Sequence, residues 1–277
     1  MTGSPWCAGC RSRRRRPIHW RRSRGHHRTE SRRCSCRGSF GRGPAGAGAF
    51  RLKQLLAEHG VAVLPGQDVD DQQFLEFLGR FGRLTFTQGE TPVPGFGDLN
   101  VISNVGRTTP PRSVFHVDTS YVRNPPAYTA LRAVQVPRRG GQTQFTNQYR
   151  AYETLPPEVR DRLRGLKARH VVSGLDTADL AETQAEHPLL RRHPVSGRTS
   201  LYLSTPQRCR EIGGLEPDEA TQLIEFLYRH STAPANVLAH SWAAGDVVIW
   251  DNRVVLHRAD HSGVEGERVM HRGMVTA

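Results

Sequence analysis

From residue 99 onward the sequence keeps returning to short apolar runs separated by turn signals. LNVIS, AYTALRAVQV, TQF, RHVV, TSLYL, NVLAHSW, DVVIW, RVVLH and RVMHRGMV each have the length and β-branched or aromatic content of a strand. PRRGGQ and AAGD supply turns between them. So many short strands need their edges closed or covered, which a β-barrel or sandwich achieves. Helical patterns decorate this framework. FRLKQLLAEHG reads as an amphipathic helix stopped by Gly60, followed by a short buried strand, VAVLPG. DVDDQQFLEFLGRFG offers Asp68 as an N-cap and an apolar stripe of Phe74, Leu75, Phe77, Leu78 and Phe81. PPEVRDRLRGLKA and EPDEATQLIEFLYRH are two further helical patterns. The expected fold is mainly β with flanking helices.

The charge is unevenly placed. Residues 1–50 hold 13 Arg and one acid, Glu30, a net of +12, whereas the whole 277-residue chain is +13. The strongly basic character therefore belongs to an N-terminal tail, and the body is close to neutral. Residues 1–48 have no hydrophobic period with which to bury a core. They are expected to be disordered, or to be no native coding sequence, because Arg, Gly, Ser, Cys, His and Trp are what GC-rich DNA yields out of frame. A polyanion-binding arm is the alternative, so a nucleic-acid partner would act through this tail alone. Cys7, Cys10, Cys34 and Cys36 lie there too, at spacings that match no standard zinc module. Residues 49–277 form the expected functional domain. Their one cysteine, Cys209, fits a reducing, cytoplasmic setting. No apolar run is long enough to span a membrane, and the basic N-terminus lacks the apolar stretch of a secretory signal.

The chemistry concentrates in three places. FHVDTSY reads as an extended strand, on which His116 and Asp118, two apart, share a face. AAGDVVIWDNRVVLHRAD places Trp250, Asp251 and Asn252 at a corner between two apolar strands and ends the second on His257. Two imidazoles and a carboxylate are the ligand set of the facial triad, which holds Fe(II) on one side and leaves positions open for a bidentate co-substrate and dioxygen. ERVMHRGMV then sets Arg268, Met270 and Arg272 on one strand face. A guanidinium aimed into a barrel needs an anion, since a buried unpaired charge is costly. The far carboxylate of an iron-chelating dicarboxylate would meet that need.

The blocks FHVDTSY, GGQTQFTN, HPVSGRTSLYL, AGDVVIWDNRVVLH and ERVMHR, collinear over roughly residues 50–277, resemble the taurine/2,4-dichlorophenoxyacetate dioxygenase family. That resemblance implies a double-stranded β-helix (jelly-roll, cupin-like) core and an Fe(II)- and 2-oxoglutarate-dependent dioxygenase. By position, His116, Asp118 and His257 would ligate iron, and Arg268 with Thr143 would hold the C5 carboxylate of 2-oxoglutarate. Arg272 would grip an anionic group of the substrate. Arg112 and Tyr121 are further substrate-binding candidates, and Trp250, Asp251 and Asn252 would shape the corner that presents His257. The implied reaction consumes dioxygen and hydroxylates a small, anionic organic molecule (a sulfonate, carboxylate or amino-acid derivative), releasing succinate and CO2. Two departures from the taurine-oxidising pattern stand out. LTFTQGETPVPG has no His where a substrate-gripping one is expected, and Arg112 stands where an Asn is expected. The alternative is a catalytically inactive jelly-roll binding protein with a polyanion-binding tail. Relatives in this family often self-associate, so a homo-oligomer is a further expectation.

Overall fold

In a computed structural model, residues 47–87, 89–107, 113–173 and 180–277 are described. Residues 1–46 of the expected 1–48 tail and the candidate Arg112 lie outside them, while Ala47 and Gly48, counted with the tail, open the first helix instead. The core is a jelly roll of two antiparallel sheets. The larger is seven-stranded, in the order Val61–Leu64, Val247–Asp251, Tyr128–Gln135, Val269–Thr276, Phe96–Ser103, Pro92–Val93, with Arg83–Thr85 also pairing with Val269–Thr276. The smaller has Thr143–Asn147 between Val237–His240 and Val255–Ala259. A bridge between His116 and His257 extends it by one pair. Outside the two sheets, Lys167–Val171 pairs with Cys209–Ile212 and Gln184–Pro188, and Leu190–Arg192 pairs with Thr199–Leu201. Among the described residues, no helix is long and apolar enough to cross a membrane.

Helices Ala47–His59 and Asp71–Gly79 cover part of the larger sheet. Phe74, Phe77, Leu78 and Phe81 are buried with Leu99, Tyr128, Ile249 and Val275 in one apolar cluster. Helix Pro217–Ser231 buries Ala220, Leu223, Ile224 and Leu227 in a second cluster with Leu163, Leu201, Cys209 and Ile212.

Three local expectations are corrected. The second helix is capped by Asp70, not Asp68. The Asp70 carboxylate accepts from Gln73 N, and the Gln73 side chain accepts from Asp70 N, a reciprocal capping box that Asp68 has no partner to build. The pattern PPEVRDRLRGLKA is helical only over Pro157–Arg162. Gly165 takes φ +78°, and Lys167 already belongs to a strand. FHVDTSY is not a continuous strand: after the single bridge at His116 the chain turns, with Thr119 at φ +40° and Val122 N donating to Thr119 O.

The sheet is close-packed at Gly273, on the strand Val269–Thr276. A Cβ built there would sit 2.1 Å from Leu78 Cδ1 and 3.0 Å from Leu99 Cδ2. Gly273→Val should therefore destabilise the fold by about 2–3 kcal/mol through overpacking, read as a lower urea midpoint at unchanged slope.

Candidate metal centre and anion seats

His116, Asp118 and His257 meet where the smaller sheet faces the larger. One ligand atom from each lies within 4.8 Å of the others, a group that could hold a metal ion. His116 Nε2 is 3.6 Å from Asp118 Oδ1, and His257 Nε2 is 3.6 Å from Asp118 Oδ2. The turn at Thr119 brings the carboxylate to its place. A β-branched residue at positive φ is strained, by about 1–3 kcal/mol, and such strain is retained only where the surroundings enforce it.

Each member is oriented by its own partner. His116 Nδ1 lies 2.9 Å from Val114 O, so that nitrogen carries the proton and Nε2 presents its lone pair. The His257 ring is held by packing, with its centroid 4.5 Å from that of Trp250, while Nδ1 is buried without a partner. Asp118 is reached through a relay of buried side chains. Trp250 Nε1 donates to Asn252 Oδ1 at 3.0 Å, Asn252 Nδ2 to Thr129 Oγ1 at 2.8 Å, and Thr129 Oγ1 to Asp118 Oδ2 at 2.8 Å. The corner residues Trp250 and Asn252 thus reach a candidate ligand, which exceeds the purely scaffolding part expected of them. Thr129 had no signal in the sequence, since it lies in an apolar strand eleven positions past Asp118.

The electrostatics favour an ionised acid beside a neutral His257. Burial pushes the Asp118 carboxyl up, but His257, Arg272 and His116 outweigh it and hold the group well below the usual carboxylate range. His257 is pushed down to about 3, chiefly by burial, with His116 and Arg272 reinforcing and Asp118 opposing. An ionised carboxylate and a neutral imidazole are the protonation states in which these groups can ligate a divalent metal.

Arg268 is 1 % exposed, and among the described residues no carboxylate pairs with it. Its Nε donates to Gly141 O at 2.9 Å and its Nη2 to Thr143 Oγ1 at 3.3 Å. Burial pushes its pKa down to about 10. Trp242 Nε1 also donates to Thr143 Oγ1, at 3.0 Å. With both lone pairs engaged, the Thr143 hydroxyl has its own proton left to donate. Gly141, at φ +69°, is what lets the guanidinium lie this close, since a Cβ there would meet Arg268 Cδ at 3.1 Å and Pro137 Cγ at 2.8 Å. A buried cation, a free hydroxyl proton and a glycine cradle fit a carboxylate.

Arg272, four residues further on and within the strand Val269–Thr276, is 10 % exposed. Its Nη1 is 3.5 Å from Asp118 Oδ1, its Nη2 is 3.3 Å from Glu90 Oε1, and Nε and Nη2 each lie 3.4 Å from Asn100 Oδ1. Tyr121 is buried; burial pushes its phenol up, with Arg208 opposing, Glu90 reinforcing and Arg272 opposing. Phe115 packs with Val117, Tyr202 and Leu256 in an apolar cluster. The sequence alone did not single out Glu90, Asn100 or Trp242.

Residues 46–274 match the family model "Taurine catabolism dioxygenase TauD, TfdA family". The chain belongs to that family. It is 30% identical over 248 residues to the alpha-ketoglutarate-dependent 2,4-dichlorophenoxyacetate dioxygenase of Cupriavidus pinatubonensis, covering 80% of this chain and 86% of the relative. Pentalenolactone F synthase of Streptomyces arenae is 31% identical over 242 residues, covering 76% and 81%. Among solved structures, a taurine dioxygenase from Burkholderia xenovorans superposes with a TM-score of 0.73 at 29% identity, covering 87% of this chain and 85% of that one. AAD-2 in complex with Mn(II) and N-oxalylglycine superposes at 0.75 and 25% identity, covering 89% and 96%. The protein is accordingly a 2-oxoglutarate-dependent non-haem iron dioxygenase, and its donor set fits the iron and the co-substrate which that chemistry requires.

If Thr129 orients Asp118, Thr129→Val should weaken Mn(II) affinity about 10–100-fold, the usual penalty for losing a hydrogen-bond partner of a ligand. Thr129→Ser should restore it; calorimetric titration of both variants reads the difference.

Proposed function

We propose that His116, Asp118 and His257 bind Fe(II), that Arg268 and Thr143 seat the distal carboxylate of 2-oxoglutarate, and that the enzyme hydroxylates a small organic acid bound at Arg272 and Tyr121. The products are the hydroxylated substrate, succinate and CO2. The observation that carries this reading is the buried guanidinium of Arg268, which pairs with no carboxylate among the described residues and sits one residue before the strand that delivers Arg272 to Asp118. Residues 49–277 would form the catalytic domain, working in the cytoplasm and open to self-association.

Bound iron, 2-oxoglutarate and dioxygen together supply the oxidising power. The protein's part is binding and placement. Thr129 donates to Asp118 Oδ2, the oxygen nearer His257, while Oδ1 faces His116 and Arg272. Trp250 holds the His257 ring, and Val114 O sets the His116 tautomer. Met270, Val248 and Trp250 line an apolar interior that keeps water from the buried charges. Arg268 fixes the far end of the co-substrate, so that its position does not depend on the metal alone. Nothing in the comparisons supports the inactive jelly-roll alternative, because the curated relatives are named as catalysts.

His116→Ala should abolish succinate release, with or without a prime substrate. Arg268→Ala should raise the 2-oxoglutarate KM by about a hundredfold, the scale of a lost charge-assisted pair in a buried site, while leaving Mn(II) affinity within about threefold. Equal loss of metal in both variants would refute the role given to Arg268. Anaerobic Fe(II) with 2-oxoglutarate should produce a visible charge-transfer band, and its absence from folded protein would count against the site.

A further inference from the structure

The anion seat at Arg272 already holds an anion of the protein's own. Glu90 Oε1 lies 3.3 Å from Arg272 Nη2, and the carboxylate is 33 % exposed where the guanidinium is 10 % exposed, so Glu90 sits on the solvent side of the pair. Its position is built into the sheet. Glu90 N donates to Thr87 O at 3.2 Å, next to Gly89 at φ +84°. Val101 N donates to Thr91 O at 2.8 Å, Pro92 is opposite Asn100, and Asn100 is opposite Arg272. Two strand registers therefore deliver Glu90 to the guanidinium. The other acid touching Arg272 is Asp118, which belongs to the metal centre.

A second observation concerns Asn100. Its Oδ1 accepts from Arg272, but its Nδ2 is buried with no acceptor. An unspent donor beside a guanidinium is a place for an anionic oxygen. The pocket thus offers two donors to the negative end of a ligand and, next to them, a carboxylate. A substrate whose only charge is negative would have to sit against Glu90 or push it away. A substrate that also carries an ammonium, a few bonds from its acid group, would satisfy both partners.

We infer that Glu90 is a specificity-determining residue: it neutralises the Arg272 seat and selects organic acids that bring a cationic group of their own over simple monoanions. The inference rests on the oxygenase reading for the identity of the pocket, and it assigns this chain's selectivity to the contact between Glu90 and Arg272.

Matched probes that differ only in the amine test it: 3-aminopropanoate against propanoate, and 2-aminoethanesulfonate against ethanesulfonate. Each is titrated calorimetrically into wild type, Glu90→Gln and Glu90→Asp, once with Mn(II) and N-oxalylglycine bound and once metal-free. Wild type should bind each aminated probe about tenfold or more tightly than its partner, as expected of a partly desolvated charge pair. Glu90→Gln should bring that ratio to within about threefold of unity by strengthening the monoanions and weakening the zwitterions, and Glu90→Asp should retain part of the preference. An unchanged ratio in Glu90→Gln overturns the inference, as does a wild-type preference for the monoanions or no binding of any probe. Failure of Mn(II) and N-oxalylglycine to bind would instead count against the oxygenase reading, while the metal-free ratios still decide the part played by Glu90.

Discussion

A carboxylate that is 4 % exposed cannot stay charged unless its surroundings replace the water it has lost. Asp118 is such a group, and much of the interior is arranged around it. Thr129 donates to one oxygen, Arg272 approaches the other, and the two imidazoles flank both. These partners come from four separate strands or turns, so the carboxylate is stable only when both sheets are complete. In this enzyme the integrity of the fold and the readiness of the metal centre are the same condition. A lone acid in an apolar barrel would instead take up a proton and cease to be a metal ligand.

The two sheets divide the work. The smaller carries His257 and Thr143 and adds His116 by a single bridge, so it supplies the imidazoles and the hydroxyl. The larger carries Thr129 and Arg272, with Arg268 one residue before the same strand, so it supplies the hydroxyl that donates to the acid and the two guanidiniums. Trp250, on the larger sheet, packs against His257 and starts the relay that ends on Asp118. One indole thereby touches both halves of the site, which is why WDN reads as a corner in sequence yet acts on two ligands in space.

How much of this was legible in the sequence follows from how far each signal reaches along the chain. The strands showed through their β-branched runs, and the helix stripe through Phe74, Phe77, Leu78 and Phe81, because periodicity is local. His116, Asp118 and His257 could be proposed together because polar groups at strand ends are conspicuous among apolar neighbours. Arg268 stood out because strand alternation places it on the face of Arg272, where a guanidinium aimed into a barrel needs an anion. Thr129, Trp242, Asn100 and Glu90 did not stand out. Each is an ordinary residue in its own segment, and its meaning comes from a partner on another strand, set by a register that no local pattern records. The turn at Thr119 was hidden in a similar way: Thr favours extended backbone, and only the need to bring Asp118 beside both imidazoles overrides that preference.

The strand Val269–Thr276 looks in two directions at once. Arg272 faces the metal centre, while His271 faces outward to Asp71, 2.7 Å away, which Arg132 also engages. Because neighbouring positions alternate, gaining or losing a single residue in this strand would send an imidazole inward and turn the guanidinium out. Point changes here alter one contact at a time, whereas a shift of frame exchanges the two environments wholesale. The strand should therefore accept variation in side chain far more readily than variation in length.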